Sequence, residues 1–590
     1  MREFFKFMFA SMVAMLLTFF IATILFIVVI GAVVSSATST QEKPFTVKDN
    51  SILHLQFDFP IKDRTSNNPF ESFDFSTFES HDNLGLDKIL TNIEKAKSDS
   101  KIKGIYLDLT SLNAGMATVE EIRNALKDFK KSGKWVVSYS EVYTQGTYYL
   151  ASVSDKIYLN PAGVVEMRGL SSQLSFFKNA LEKLEVEMQI IRHGKFKSAV
   201  EPFILDKMSD SNREQMELLL NTAWGSFVKD ISESRKISIE KLNEIADGLK
   251  IQTAKNAMEL GFVDKVLYKD EILDDLKTRV GAKSYDDINY VTLRKYDNAK
   301  AEKKESKNEI AIVYASGEIV SGKSKGESMG SETVSQAIRE ARLDENVKAI
   351  VLRVNSPGGS ALASDVMWRE VVLAKKVKPV VVSMGDVAAS GGYYISCAAN
   401  KIVADEKTIT GSIGVFGMIP NAQKLFNNKL GITFDVVKTN TNADMMSLTQ
   451  PLTAEQKDII QIGVEQIYDD FITKVGEGRK MTKEQVDSIG QGRVWTGIDA
   501  KRIGLVDELG GIDKAIEIAK DLAKISDYKT TAFPKQKDPI EQFIMELTGE
   551  TEAKILQMYL GENYKYYQKV QALTTQSVYM SRMPYEIEVH

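Results

Sequence analysis

One cysteine and four histidines among 590 residues are few enough to remove whole classes of chemistry. Cys397 alone permits no intrachain disulfide and no multi-cysteine metal site, and it does not distinguish an oxidising from a reducing compartment. The histidines stand at positions 54, 81, 193 and 590, without His-Glu-x-x-His or comparable ligand spacing, so a metalloenzyme is not expected. Between His193 and His590 there is none at all. A Ser-His-Asp triad built from that stretch is therefore impossible, and a serine nucleophile there would need another base. An excess of one charge is lacking too. With 75 basic against 80 acidic residues, a net charge of −5 offers no broad field for a nucleic acid, and that class of partner is set aside.

Phe7 to Val34 is an almost wholly apolar run, and no charge occurs between Lys6 and Glu42. As a helix rising about 1.5 Å per residue it would span roughly 40 Å, enough to cross a bilayer with tilt. The apolar core of a cleaved signal peptide is usually about 7–15 residues, so residues 7–34 read as a retained anchor, although Ser35-Ser36-Ala37 would tolerate cleavage. Arg2 and Lys6 precede the run and no basic residue follows before Lys43, which places the N-terminus in the cytoplasm and the rest across the membrane.

The body of the chain is duplicated. Tyr106-Leu-Asp-Leu-Thr-Ser-Leu-Asn-Ala-Gly115 aligns with Val351-Leu-Arg-Val-Asn-Ser-Pro-Gly-Gly-Ser360, and Glu141-Val-Tyr-Thr-Gln-Gly-Thr-Tyr-Tyr149 aligns with Asp386-Val-Ala-Ala-Ser-Gly-Gly-Tyr-Tyr394 at the same offset. Arg235-Lys236 with Arg479-Lys480, and Gly261-Phe-Val-Asp264 with Gly504-Leu-Val-Asp507, keep nearly that register. Two homologous domains are expected, at 48–295 and 308–535, joined by a charged linker over 296–307 and followed by an extension over 536–590. In the second copy, Ile310–Tyr314, Lys348–Val354, Pro379–Ser383 and Lys401–Asp405 are short β-branched runs of buried-strand character. Helical stretches at Ser331–Ala341 and Ala363–Lys375 lie between them, so the class is α/β with a mainly parallel sheet.

Two glycine-rich turns in that copy could carry chemistry. Asn355-Ser-Pro-Gly-Gly359 follows a strand, and its glycines either merely permit a strand-to-helix turn or let backbone amides approach a ligand oxygen. Ser390 lies in Gly385-Asp-Val-Ala-Ala-Ser-Gly-Gly392, read as a turn after a strand ending at Ser383, leading into a helix over Tyr393–Ala398. The plain reading of Ser390 is a helix cap; the functional one is an accessible nucleophile.

Ser-Pro-Gly-Gly, then Asp-Val-Ala-Ala-Ser-Gly-Gly-Tyr-Tyr about thirty residues later, then Thr410-Gly-Ser-Ile-Gly414, resembles signal peptide peptidase A in its long tandem form. The likeness extends to the anchor and to Gly194-Lys-Phe-Lys-Ser-Ala-Val-Glu-Pro-Phe203, thus to most of residues 1–535. It implies two Clp-protease/crotonase-like domains and a Ser/Lys dyad divided between them. Ser390 takes the nucleophile's place, Lys197 the base's, and Ser412 that of a serine that orients the lysine. Gly358, Gly359 and Gly391 stand where oxyanion donors are expected. No cofactor is implied. The implied partners are remnant signal peptides, the membrane and further copies of the chain in a ring or bowl, a tetramer being one option. The implied location is the bacterial inner membrane, with both domains on the periplasmic side.

The repeat supports this division independently. Opposite Ser390 the first copy has Gln145, and opposite Pro357-Gly358-Gly359 it has Leu112-Asn113-Ala114. Opposite Lys197 the second copy has Thr441 or Asn442, and its nearest lysine, Lys438, falls out of register. An unshifted lysine is neutral only about once in 2,500 at pH 7, so burial, with Arg192, His193 and Lys195 adding a cationic field, would have to lower its pKa. A catalytically dead membrane scaffold and a crotonase-type acyl-CoA enzyme are the alternatives. In the extension, Ile540–Leu547 has helical spacing and reads as a packing or assembly surface.

Overall fold

The computed structural model describes residues 2–38, 45–67, 73–74, 79–80, 84–299, 306–536 and 579–583. Ile540–Leu547 and residues 300–305 of the linker lie outside that set. The N-terminal run forms one helix, Arg2–Thr38. Over Arg2–Leu25 its mean hydropathy is 2.3, and its apolar surface is left uncovered by the described residues.

The repeat is visible as a shared strand order. In the first copy a fully parallel sheet runs Lys265–Val266, Lys156–Val165, Trp135–Tyr143, Ile102–Asp108, Ser51–Leu55, Tyr290–Thr292. In the second copy Glu508–Leu509, Lys401–Ala404, Val380–Ala389, Val347–Ser356, Glu309–Ser316 and Lys529–Phe533 follow the same order, extended by Ile409–Gly411 and the antiparallel Val494–Thr496. The duplicated Arg-Lys pairs close equivalent helices. Asp210–Arg235 and Ala454–Arg479 each end on a lysine in the left-handed region, Lys236 and Lys480. Arg235 holds the Gly261 carbonyl (3.0 Å) and Asp264 (3.2 Å), as Arg479 holds the Gly504 carbonyl (3.0 Å) and Asp507 (2.8 Å).

The copies are not beads on a string. First-copy core residues such as Leu55, Ile105 and Ile122 share one apolar cluster with Ile312, Val351, Val381 and Ile512 of the second. A third, mixed sheet is built from both: Met329–Gly330, Ile319–Val320, Gly358–Ser360, Tyr579–Arg582, Phe416–Asn421 and, from the first copy, Glu187–Arg192. Two local readings need correction. Gly358–Ser360 is a short strand in this sheet rather than only a turn. The strand expected to stop at Ser383 runs on to Ala389, because a register shift beside Val354–Ser356 absorbs Gly385-Asp386 and lets the ladder resume at Ala388.

Candidate active site

Ser390 is the hinge between a strand and a helix. Val380–Ala389 ends immediately before it and Gly391–Ser396 begins immediately after. Its backbone, at φ 56° and ψ −112°, is one that side chains rarely adopt, and the Ser390 amide donates to the Gly411 carbonyl (2.8 Å) to hold it there. Small neighbours are compulsory. A Cβ on Gly391 would stand 2.6 Å from the Ser364 hydroxyl, and one on Gly392 2.9 Å from the Ser356 carbonyl.

Lys197 reaches this point from the other copy. Glu187–Arg192 pairs antiparallel with Phe416–Asn421, with Arg192 opposite Phe416, and Gly194 at φ 90° turns the chain inward. The Lys197 ammonium nitrogen then lies 2.8 Å from Ser390 Oγ, 3.0 Å from Ser412 Oγ and 3.2 Å from the Ser412 carbonyl. The same 2.8 Å spacing serves an ammonium donating to Oγ or an amine accepting its proton. Lys197, Ser390 and Ser412 are all completely buried. Ser412, at φ 50°, is itself fixed by its amide donating to the Arg493 carbonyl (2.7 Å).

Burial alone pushes the Lys197 pKa well below 10.5. The expected cationic contribution is absent, because the nearby cations face other groups. Arg192 donates to the Lys197 carbonyl (3.4 Å) and lies 4.0 Å from Glu201; His193 meets Glu465 at 2.6 Å; Lys195 lies over the Phe196 ring. Close backbone approach presses the lysine into place. Gly492, at φ 85°, has room for no side chain, since a Cβ there would lie 2.6 Å from Lys197 N, Cα and Cβ. Gln215, on the first copy's long helix, ties the segment down through the Phe196 carbonyl (3.2 Å) and the Ser198 hydroxyl (2.8 Å).

Gly358 and Gly391 meet beside Ser390, whereas Gly359 lies against Ile319. A Cβ on Gly391 would sit 3.2 Å from Gly358 Cα, and Gly358 and Gly359 hold φ of 98° and 155°. The Gly358 amide donates to Ser356 Oγ (3.1 Å), a bond that would have to be shared with an incoming oxyanion. In the first copy Gln145 opens the equivalent helix, and its side chain is fully engaged, accepting from the Arg168 (2.8 Å) and Gly169 (2.9 Å) amides and donating to the Gly169 carbonyl (3.0 Å). Lys438 is no counterpart of Lys197, for it pairs with Asp444 on the exposed surface.

One participant gave no sign in the sequence. Tyr579–Arg582, in the extension over 536–590 to which the sequence assigns no role, lies in the site, and Ser581 Oγ stands 2.7 Å from Ser390 Oγ. Four residues are too few for a strand periodicity to emerge. As a whole, the arrangement sets a hydroxyl against an amine whose pKa burial lowers, beside backbone amides free of side chains. It can deprotonate an alcohol and steady the oxyanion formed when that alcohol attacks an acyl carbon.

The profile of Peptidase family S49 matches this chain twice, over residues 128–283 and 373–526. The chain is 40% identical over 476 residues to Protease 4 of Salmonella typhi, covering 79% of this chain and 76% of that one. It is 37% identical over 485 residues to Protease 4 of Haemophilus influenzae, with 80% and 77% covered. To the chloroplastic serine protease SPPA of Arabidopsis thaliana it is 35% identical over 451 residues, with 75% and 66% covered.

Proposed function

Because this chain belongs to Peptidase family S49 and is a serine protease, we propose that it is a membrane-anchored endopeptidase that uses a Ser390/Lys197 dyad to cut the remnant signal peptides left by secreted precursors. The observation that carries the dyad is the 2.8 Å contact between two fully buried groups contributed by different copies. Neutral Lys197 takes the proton of Ser390 Oγ as that oxygen bonds to a peptide carbonyl carbon. Amides among Gly358, Gly359 and Gly391 hold the resulting oxyanion, and Ser412 keeps the lysine aimed. The proton passes to the departing amine, leaving an ester on Ser390. Water then attacks that ester, Lys197 again taking the proton, and the acid product leaves.

Topology supports the substrate class. The Arg2–Thr38 helix crosses the membrane with its basic end, Arg2 and Lys6, on the cytoplasmic side of a bacterial inner membrane, which keeps the periplasmic site beside apolar peptides still in the bilayer. Assembly with further copies is part of the same proposal, and exposed Ile432, Phe434, Val436 and Val437 offer an apolar surface for it. A serine-directed fluorophosphonate should label the solubilised chain at Ser390, and Ser390→Ala should lose both the label and more than about 10³-fold of peptide turnover while melting normally. Near-normal turnover by the alanine variant would end the proposal.

A further inference from the structure

Behind Lys197 lies a buried carboxylate that the proposed reaction does not touch. Glu201, in Lys197-Ser-Ala-Val-Glu201, is fully buried. Its Oε1 accepts from the Ser209 hydroxyl (2.6 Å), and its Oε2 accepts from the Ser209 amide (3.2 Å) and from Asn212 Nδ2 (2.9 Å). Ser209 caps the helix Asp210–Arg235, and Asn212 and Gln215 share a face of its first turns. A carboxylate accepts and does not donate, so it dictates how its neighbours sit. Asn212 must turn Nδ2 towards Glu201, which leaves its Oδ1 to accept from Gln215 Nε2 (3.2 Å). Gln215 is thereby oriented in turn. Its Nε2 also donates to the Phe196 carbonyl (3.2 Å) and Ser198 Oγ (2.8 Å), the two neighbours of Lys197, while its Oε1 accepts from the Val494 amide (3.3 Å) of the second copy. Val494 follows Arg493, whose carbonyl holds the Ser412 amide (2.7 Å). A single side-chain amide thus bonds the segment carrying the lysine to the segment that fixes the serine beside it. Asn212 and Ser198 are fully buried and Gln215 is 1% exposed, so bulk water cannot repair a reversed donor or acceptor.

We infer that Glu201, Asn212 and Gln215 form a positioning relay, in which the Glu201 carboxylate sets the direction of every hydrogen bond and so aims Lys197 at Ser390 and Ser412. The inference rests on the proposed dyad and adds to it residues that touch neither substrate nor the reacting atoms. The relay works through bonds rather than through the charge of Glu201, because burial alone lowers the Lys197 pKa. A lysine that slips from this seat meets water, and its pKa climbs back towards 10.5.

The test follows cleavage of an internally quenched apolar peptide by the detergent-solubilised full chain across pH. Glu201→Gln keeps the size of the side chain but sets a donor against donors. It should lower kcat about tenfold or more, leave KM within about threefold, and move the acid limb of kcat/KM to higher pH. Glu201→Gln/Asn212→Asp puts the acceptor back where Gln215 needs it, with the new amide donating to the new carboxylate. It should bring kcat to within about threefold of the unaltered chain and return the limb. Gln215→Met cuts the last link and should reproduce the Glu201→Gln defect, giving the same reading if that variant does not fold. Thr222→Val, which removes a bond from a later turn of the same helix to Asp499 (3.2 Å), should change neither kcat nor the limb. A loss of kcat with the limb unmoved, or a paired variant no better than Glu201→Gln, would make these residues merely structural and overturn the relay while leaving the dyad standing. Full turnover by Lys197→Ala would instead remove the dyad, and the relay with it.

Discussion

A lysine acting as a base must give up its proton near neutral pH, and exclusion of water is the one influence lowering the Lys197 pKa here. The sign of the effect can be followed into two measurements. The neutral amine is present above the lowered pKa, so kcat/KM should rise with pH through an acid limb lying well below 10.5. Lys197→Arg should lose more than about 10³-fold, because arginine stays protonated. Retained activity would mean that charge rather than basicity is needed. Stability runs with the same linkage. Between the lowered folded value and the ordinary 10.5, the unfolded chain binds more protons than the folded one, so the lysine's cost to stability is largest at low pH and fades as pH rises towards 10.5. Lys197→Met should therefore be inactive yet melt higher at pH 7 than the unaltered chain, with a smaller gain at pH 10. An equal gain at both pH values would sink the burial explanation.

At the scale of elements, the site depends on segments that approach more closely than side chains allow. Gly492 is the clearest case, lying at φ 85° against the Lys197 backbone. Gly492→Ala should push Lys197 off Ser390 and reduce kcat by about 10²-fold, the scale of a 1 Å misplacement, with a smaller effect on KM. Unchanged kcat would show that the Lys197 segment has slack. Regular elements were legible in the sequence for an equally local reason. Ile310–Tyr314 and Lys348–Val354 are β-branched runs, and they lie within the strands Glu309–Ser316 and Val347–Ser356. Gly358–Ser360 was not legible as a strand, since two glycines among three residues carry no strand pattern and its pairing partners, Ile319 and Ser581, are distant in the chain. The cross-copy pairing of Glu187–Arg192 escaped notice likewise, for nothing within six residues specifies an edge more than two hundred positions away. Ser390, Lys197 and Ser412 could be named from motif likeness, but the 2.7 Å contact of Ser581 with Ser390 has no local signature.

At the scale of the molecule, the proposed dyad, divided between two copies, requires that they cannot slide, and charge buried at their interface supplies that constraint. Arg353, fully buried on the strand leading to Gly358, reaches back to the first copy, with 2.7 Å contacts to Asp63 and to Glu121, and within its own copy to the Ser383 hydroxyl at 2.9 Å. Thr118 of the first copy caps Asp386, four residues before Ser390, through its amide (2.9 Å) and hydroxyl (2.6 Å). Lys407 meets Glu120 at 2.6 Å and Asp230 at 3.2 Å across the same junction. Such pairs add little net stability when intact, because desolvation offsets attraction, but removal of one partner strands the other. Arg353→Ala leaves two carboxylates in the interface without their cation and should cost about 3–5 kcal/mol. Burial already holds the Glu121 pKa above its usual value, and without Arg353 this carboxyl should rise further and fold protonated. Protonation of Glu121 is favoured in the folded state, so stability falls as pH rises, and the penalty measured by urea melts should be larger at pH 8 than at pH 5. A penalty under about 1 kcal/mol, or one independent of pH, would mean that apolar packing between the copies, rather than this ion cluster, keeps Lys197 against Ser390.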